Sequence, residues 1–237
     1  MGPAVVLLHG FTQTAASWAP VIEQLPERYR ALALDLRGHG AARDRRPIGF
    51  AECVADVAAN APERFTLGGY SLGARIALLV ALAHPRRVER LVLVSGTAGI
   101  ADEVEREARR TADLELAGDM DGLEIEDLAR RWAAQPILRK QPEAVAEAAH
   151  RDRLRNDPRA LAAALRGLGQ GEMEPVWSRL PELAMPVTLV AGERDGRYRR
   201  IAKRMADAIP EARLVLVPEA GHAVHLEAPG LVAECLA

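Results

Sequence analysis

The sequence predicts an α/β protein, with a mostly parallel sheet flanked by helices and one inserted helical cap. Six short apolar runs recur along the chain with helical stretches between them, the pattern of strands joined by crossover helices. Polar residues able to carry chemistry stand just beyond several of these runs. One long block, about residues 101–180, contains no such run at all.

The runs are Ala4–Leu8, Ala31–Leu36, Phe65–Tyr70, Leu91–Ser95, Val187–Ala191 and Arg213–Val217. Each is apolar at nearly every position, which suits strands covered by helices on both faces. In open sheets of this kind the site lies at the carboxyl edge of the strands. The block at 101–180 is charged and alanine-rich, and Pro136, Pro142, Pro158 and Pro175 interrupt it. Its helices carry apolar stripes such as Leu161, Leu165 and Leu168. The chain therefore reads as one domain over 1–237, with a core of 1–100 and 181–237 and a cap of about 101–180.

A chain of 237 residues, 49% hydrophobic, can bury a full core. Its 31 basic and 33 acidic residues nearly balance, so no net field points to nucleic acid or a membrane. Lys140 and Lys203 are the only lysines; the other basic residues are arginines, whose planar forks suit carboxylates. Cys53 and Cys235 have no metal-like spacing, and two cysteines fit a reducing compartment. The opening MGPAVVLLHG is too short to span a bilayer and lacks the basic residues of a signal peptide. The expectation is a cytoplasmic protein; its oligomeric state cannot be read from the sequence.

Gly69-Tyr70-Ser71-Leu72-Gly73 follows an apolar run and precedes helical sequence from Arg75 to Leu79. That is the strand–turn–helix context of a G-x-S-x-G elbow, the mark of the α/β-hydrolase fold. The turn would lift the Ser71 hydroxyl above the sheet and leave the N–H of Leu72 free for an oxyanion. The bland alternative is a serine that merely caps a helix.

A nucleophilic serine needs a base. Of six histidines, His84 ends a helix, His150 lies among cap charges, and His9 and His39 precede glycines in turns. His225 begins the terminal helix and is the weaker candidate. His222, just beyond the last run, can be carried over Ser71. Asp195, just after the preceding run, completes the order Ser, Asp, His that this fold requires. Glu193 is its nearest rival, but a residue one step off the strand faces away. After Ser95 the alternative acid position holds Gly96 and Thr97. His9-Gly10-Phe11 follows the first run, where the N–H of Phe11 is a candidate second oxyanion donor.

Four motifs together resemble a narrower family: Leu8-His9-Gly10-Phe11-Thr12, Asp35-Leu36-Arg37-Gly38-His39-Gly40, Gly69 to Arg75, and Gly221-His222-Ala223-Val224-His225-Leu226-Glu227. They are spaced as in the 2-succinyl-6-hydroxy-2,4-cyclohexadiene-1-carboxylate synthases of the menaquinone pathway. The cap adds Arg109-Arg110, Trp132 before Gln135-Pro136, and Arg153 to Pro158. Gln13-Thr14 stands where that family usually has Gly-Ser. The resemblance implies an elimination, in which Ser71, His222 and Asp195 remove a ring proton and pyruvate departs. It implies Phe11 and Leu72 at the oxyanion hole and Tyr70, Arg109, Trp132 and Arg153 on a small anionic polycarboxylate substrate, with no cofactor and no metal.

Two other readings remain open on the residues alone. One is a serine carboxylesterase, thioesterase or carbon–carbon bond hydrolase acting on a small carboxylated substrate, since the fold and triad host many reactions. The other is a non-enzymatic ligand sensor built on the same scaffold.

Overall fold

The computed structural model describes residues 2–237. Six strands form one sheet: β1 (Ala4–Leu8), β2 (Arg30–Leu34), β3 (Phe65–Tyr70), β4 (Val88–Val94), β5 (Val187–Gly192) and β6 (Arg213–Val217). Their spatial order is β2-β1-β3-β4-β5-β6, and every neighbouring pair runs parallel. The sheet is therefore fully parallel, where the sequence predicted a mostly parallel one.

The helices, in chain order, are α1 (Ala19–Ile22), α2 (Phe50–Asn60), α3 (Leu72–Ala83), α4 (Glu103–Met120), α5 (Ile125–Ala133), α6 (Glu143–Arg153), α7 (Pro158–Leu168), α8 (Gly196–Ala208), α9 (Val224–Glu227) and α10 (Pro229–Leu236). Two cores sandwich the sheet, and the strands feed them alternately. Val6, Leu8, Leu91 and Leu93 face one core, with Ile76, Val80 and Ala202 of α3 and α8. Val5, Leu7, Val92 and Val94 face the other, with Val21, Val232 and Leu236. This two-residue alternation within continuous apolar runs is what a sheet covered on both faces demands.

Two strands depart from the fully buried expectation. β2 and β6 are only partly buried because each has a single neighbour at the sheet edge. β2 also stops at Leu34, short of the expected Leu36. The Asp35 carboxylate accepts from Ala15 N–H and Ala41 N–H, and the Leu36 N–H donates to His9, which takes both residues off the ladder.

α4, α5, α6 and α7 occupy the block that lacks strands. Asp102 caps α4 through the N–H of Glu105, and Asp157 caps α7 through Ala160 ahead of Pro158. Ala117, Met120, Leu128, Leu161 and Leu165 make a small core between these helices. Leu168 instead inserts into the main core, as do Met173, Val176, Leu180 and Leu183 that follow. The helical block is thus anchored well before β5 begins. Among the described residues, no helix is long and apolar enough to cross a membrane.

Candidate active site

Ser71 sits between β3 and α3 at φ +52°, a left-handed conformation that strains any residue with a side chain. The turn is possible because Gly69 and Gly73 flank it. A Cβ on Gly73 would lie 2.0 Å from the Leu8 carbonyl oxygen, and one on Gly69 would lie 2.3 Å from that of Gly73. The Ser71 side chain makes no capping hydrogen bond to α3. Its hydroxyl instead faces His222 Nε2 at 3.2 Å, which removes the helix-cap reading.

His222 lies on the loop between β6 and α9. Its Nδ1–H donates to Asp195 Oδ2 at 2.7 Å, and both side chains are buried. The other carboxylate oxygen of Asp195 accepts the N–H of Tyr198 at 3.0 Å, so the acid also caps α8. A carboxylate can only accept, so the imidazole carries its proton on Nδ1 and offers a bare Nε2 to Ser71. Glu193 is exposed and lines neither cavity described below.

Two groups that the sequence reading did not single out hold the His222 loop. The Ser95 hydroxyl donates to the His222 carbonyl at 2.7 Å. The Glu227 carboxylate accepts from Gly221 N–H at 2.7 Å and Ala223 N–H at 3.1 Å. Glu227 lies within the motif ending Gly221 to Glu227, so its position was visible in the sequence. Ser95 carried no such signal, because its partner is 127 residues away.

The remaining histidines are excluded by their surroundings. His9 donates from Nδ1 to the Gly10 carbonyl at 2.8 Å and accepts the Leu36 N–H on Nε2 at 3.0 Å. Burial holds its pKa down at about 4. Burial, with His9 beside it, holds His39 at about 3, and its Nε2 faces the Thr12 N–H at 3.4 Å. His225 is wholly buried against Tyr70, their ring centres 4.0 Å apart, and burial lowers it to about 3. These rings are neutral structural parts. His84 and His150 line neither cavity.

Two cavities open on Ser71 and His222. The larger, about 520 Å³, is lined by Phe11, Leu72, Arg109, Trp132 and Asp195 among others. Its walls also carry Arg75, Lys140, Arg194 and Arg197, against Asp195 as the one carboxylate. The smaller, about 70 Å³, is lined by Tyr70, Arg153, Gln141 and Trp132. Every site residue named from the sequence thus reaches one cavity or the other. Trp132 packs edge-on to Phe11 with ring centres 4.9 Å apart. Leu72 opens α3, so its N–H has no carbonyl one turn back to bond.

The two cap arginines differ in their partners. Arg109 is already neutralised: its Nε donates to Asp113 at 2.8 Å and its Nη1 to Gln170 at 2.5 Å. Arg153 is 2% exposed, and among the described residues its Nε and Nη1 have no hydrogen-bond partner. Burial lowers its pKa, with electrostatic attraction to Tyr70 and Asp152 opposing. A buried, unpaired guanidinium is costly unless an anion completes it. Arg75, not proposed from the sequence as a ligand, is buried, donates to the Gly169 carbonyl at 3.0 Å and faces the larger cavity. Burial brings it down to about 10, which leaves it charged at neutrality.

Comparison with known proteins agrees with this architecture. The chain matches the alpha/beta hydrolase family over residues 5–235. It is 36% identical to a Bacillus subtilis (strain 168) protein over 96% of this chain and 86% of that one. That protein's name assigns it provisionally as a 2-succinyl-6-hydroxy-2,4-cyclohexadiene-1-carboxylate synthase. A synthase of the same name from Enterobacter sp. (strain 638) is 34% identical over 99% of this chain and 90% of its own length. A solved structure, that of MenH from S. aureus, superposes with a TM-score of 0.90 at 30% identity, covering 98% of this chain and 91% of that one.

Proposed function

Since the chain belongs to the 2-succinyl-6-hydroxy-2,4-cyclohexadiene-1-carboxylate synthase family within the alpha/beta hydrolases, we propose that it is the lyase of menaquinone biosynthesis. Its substrate is then 2-succinyl-5-enolpyruvyl-6-hydroxy-3-cyclohexene-1-carboxylate, and its products are pyruvate and the conjugated ring diene. The observation that carries this reading is the pairing of a Ser71–His222–Asp195 chain with an unpaired buried guanidinium, Arg153, above it.

The chemistry follows from that geometry. His222 Nε2 takes the Ser71 proton, and Asp195 stabilises the imidazolium that results. The Ser71 oxygen removes the ring proton next to the succinyl ketone. The electrons of that C–H bond pass through the ketone's enolate, whose oxygen the N–H groups of Phe11 and Leu72 receive. They then form the C2=C3 double bond, the existing C3=C4 pair moves to C4=C5, and the C5–O bond breaks; the enolpyruvyl group leaves with the pair of that bond and takes the proton held on His222 to become pyruvate. The carboxylates of the substrate fall to Arg153 in the small cavity and to Arg75 and Arg109 in the large one. Trp132 and Tyr70 wall the ring.

A hydrolase of neutral esters would use the same triad without a guanidinium clamp, so the arginines favour a carboxylated substrate, and the likeness to the synthases favours elimination over hydrolysis of such a substrate. Pyruvate release by the purified protein, measured with the enolpyruvyl substrate and with a small neutral ester in parallel, separates the two. The lyase releases pyruvate, whereas ester turnover without it would return the protein to the hydrolases.

A further inference from the structure

Hydrogen bonds of Asp152 and Asn156 join the cap to the loop that carries Phe11. The Thr14 N–H donates to Asp152 Oδ2 at 2.9 Å, and the Thr14 hydroxyl donates to Asp152 Oδ1 at 2.5 Å. One turn further on, Asn156 Nδ2 donates to the Thr12 carbonyl at 3.0 Å, and its Oδ1 accepts the Gly40 N–H at 2.9 Å. Thr14 and Asp152 are 3% and 7% exposed, so these are desolvated, charge-assisted bonds, stronger than surface ones.

The clamped loop needs such support. Thr12 sits at φ +67°, a conformation that a β-branched residue holds only when its surroundings enforce it. The carbonyl and N–H of this residue are fixed from outside, by Asn156 and His39 respectively. Phe11, immediately before it, presents the N–H assigned to the oxyanion. On the cap side, Asp152 is followed directly by Arg153, which lines the small cavity and whose Nε and Nη1 have no hydrogen-bond partner among the described residues.

We infer that Asp152 is a positioning residue: by gripping Thr14 it sets the oxyanion loop and the Arg153 guanidinium in one joint. It touches no reacting atom. Its effect passes forward through Thr14 to the Phe11 N–H and sideways to Arg153. Formation of the oxyanion hole is thereby tied to closure of this part of the cap. The inference rests on the function proposed above only for its kinetic part.

The test compares Asp152→Ala, the near-isosteric Thr14→Val and the conservative Thr14→Ser with the wild type. Each is measured by thermal melting, by hydrogen–deuterium exchange of the peptide over residues 10–18, and by kcat and KM for pyruvate release. Asp152→Ala and Thr14→Val should exchange faster in that peptide while β3 and β4 stay protected. They should lose about ten- to a hundredfold in kcat, the scale of a misplaced catalytic group. Thr14→Ser should restore both properties. Wild-type kcat in the folded Thr14→Val variant, or faster exchange confined to residues 143–168, would overturn the inference. If the wild type itself releases no pyruvate, the functional reading fails, and the exchange of residues 10–18 alone still decides whether the joint exists.

Discussion

The Ser95 hydroxyl donates to the backbone carbonyl of His222 at 2.7 Å, tying the end of β4 to the loop that carries the proposed base. Both groups are buried, so removing the hydroxyl leaves a carbonyl without a partner, a loss of about 1–3 kcal/mol. Ser95→Ala should therefore lower the melting temperature and reduce kcat more than it changes KM. Steady-state kinetics on the folded variant checks this; an unchanged kcat would show that the loop is held adequately by Glu227 alone.

Asp195 and Glu193 give a sharper contrast. Asp195→Asn keeps the shape but presents an amide to Nδ1, which stabilises the wrong tautomer, and it should lose about 10⁴-fold in kcat. Glu193→Gln changes an exposed side chain and should leave the rate alone. Kinetics on the pair would expose a wrong assignment of the acid if the glutamate variant were the inactive one.

The two cap arginines should respond in opposite ways to removal. Arg153→Met takes away a buried charge without a partner, so stability should hold or rise while kcat/KM for the polycarboxylate falls about ten- to a hundredfold. Arg109→Ala leaves the Asp113 carboxylate, itself 4% exposed, without its cation and with the Gly171 N–H as its remaining donor, so stability should fall. Melting temperatures beside kcat/KM test the distinction. A strong destabilisation by Arg153→Met would mean that this guanidinium serves the fold.

Acid should destabilise the protein through its buried histidines. Burial holds His9, His39 and His225 at about 4, 3 and 3, below the ordinary value of 6.5. Between those limits the unfolded chain binds protons that the folded chain refuses. Stability present above the unfolded value is thus lost as pH falls through about 6 toward 4, by up to about 1.4 kcal/mol per pH unit for each ring. Asp152, raised by burial, acts in the opposite sense. Urea unfolding at pH 7 and pH 5 measures the net; equal stability at the two values would contradict neutral buried rings.

The fold was legible because its strands are continuous apolar runs, whose two faces are both covered. Edge position was not, since β2 and β6 look like the central strands in composition and differ only in having one neighbour. The grouping of Ser71, His222 and Asp195 could be anticipated because each follows a strand of one parallel sheet, where carboxyl ends converge. What the sequence hid lies in contacts across long separations. Asp152 and Thr14 are 138 residues apart, and in a charged cap helix Asp152 looks like any solvated acid. The difference between Arg109 and Arg153 was equally hidden, because it depends on Asp113 and Gln170 reaching only one of them.

In the proposed reaction Ser71, worked by His222, drives loss of pyruvate from the enolpyruvyl substrate. Its most direct test is the rate of pyruvate release by the wild type and by Ser71→Ala, with the ring diene followed by its absorbance in the same reaction. Pyruvate and diene should appear in equal amounts with the wild type, and the variant should be slower by about 10³-fold or more. Equal rates for the two proteins, or no pyruvate from the folded wild type, would contradict it.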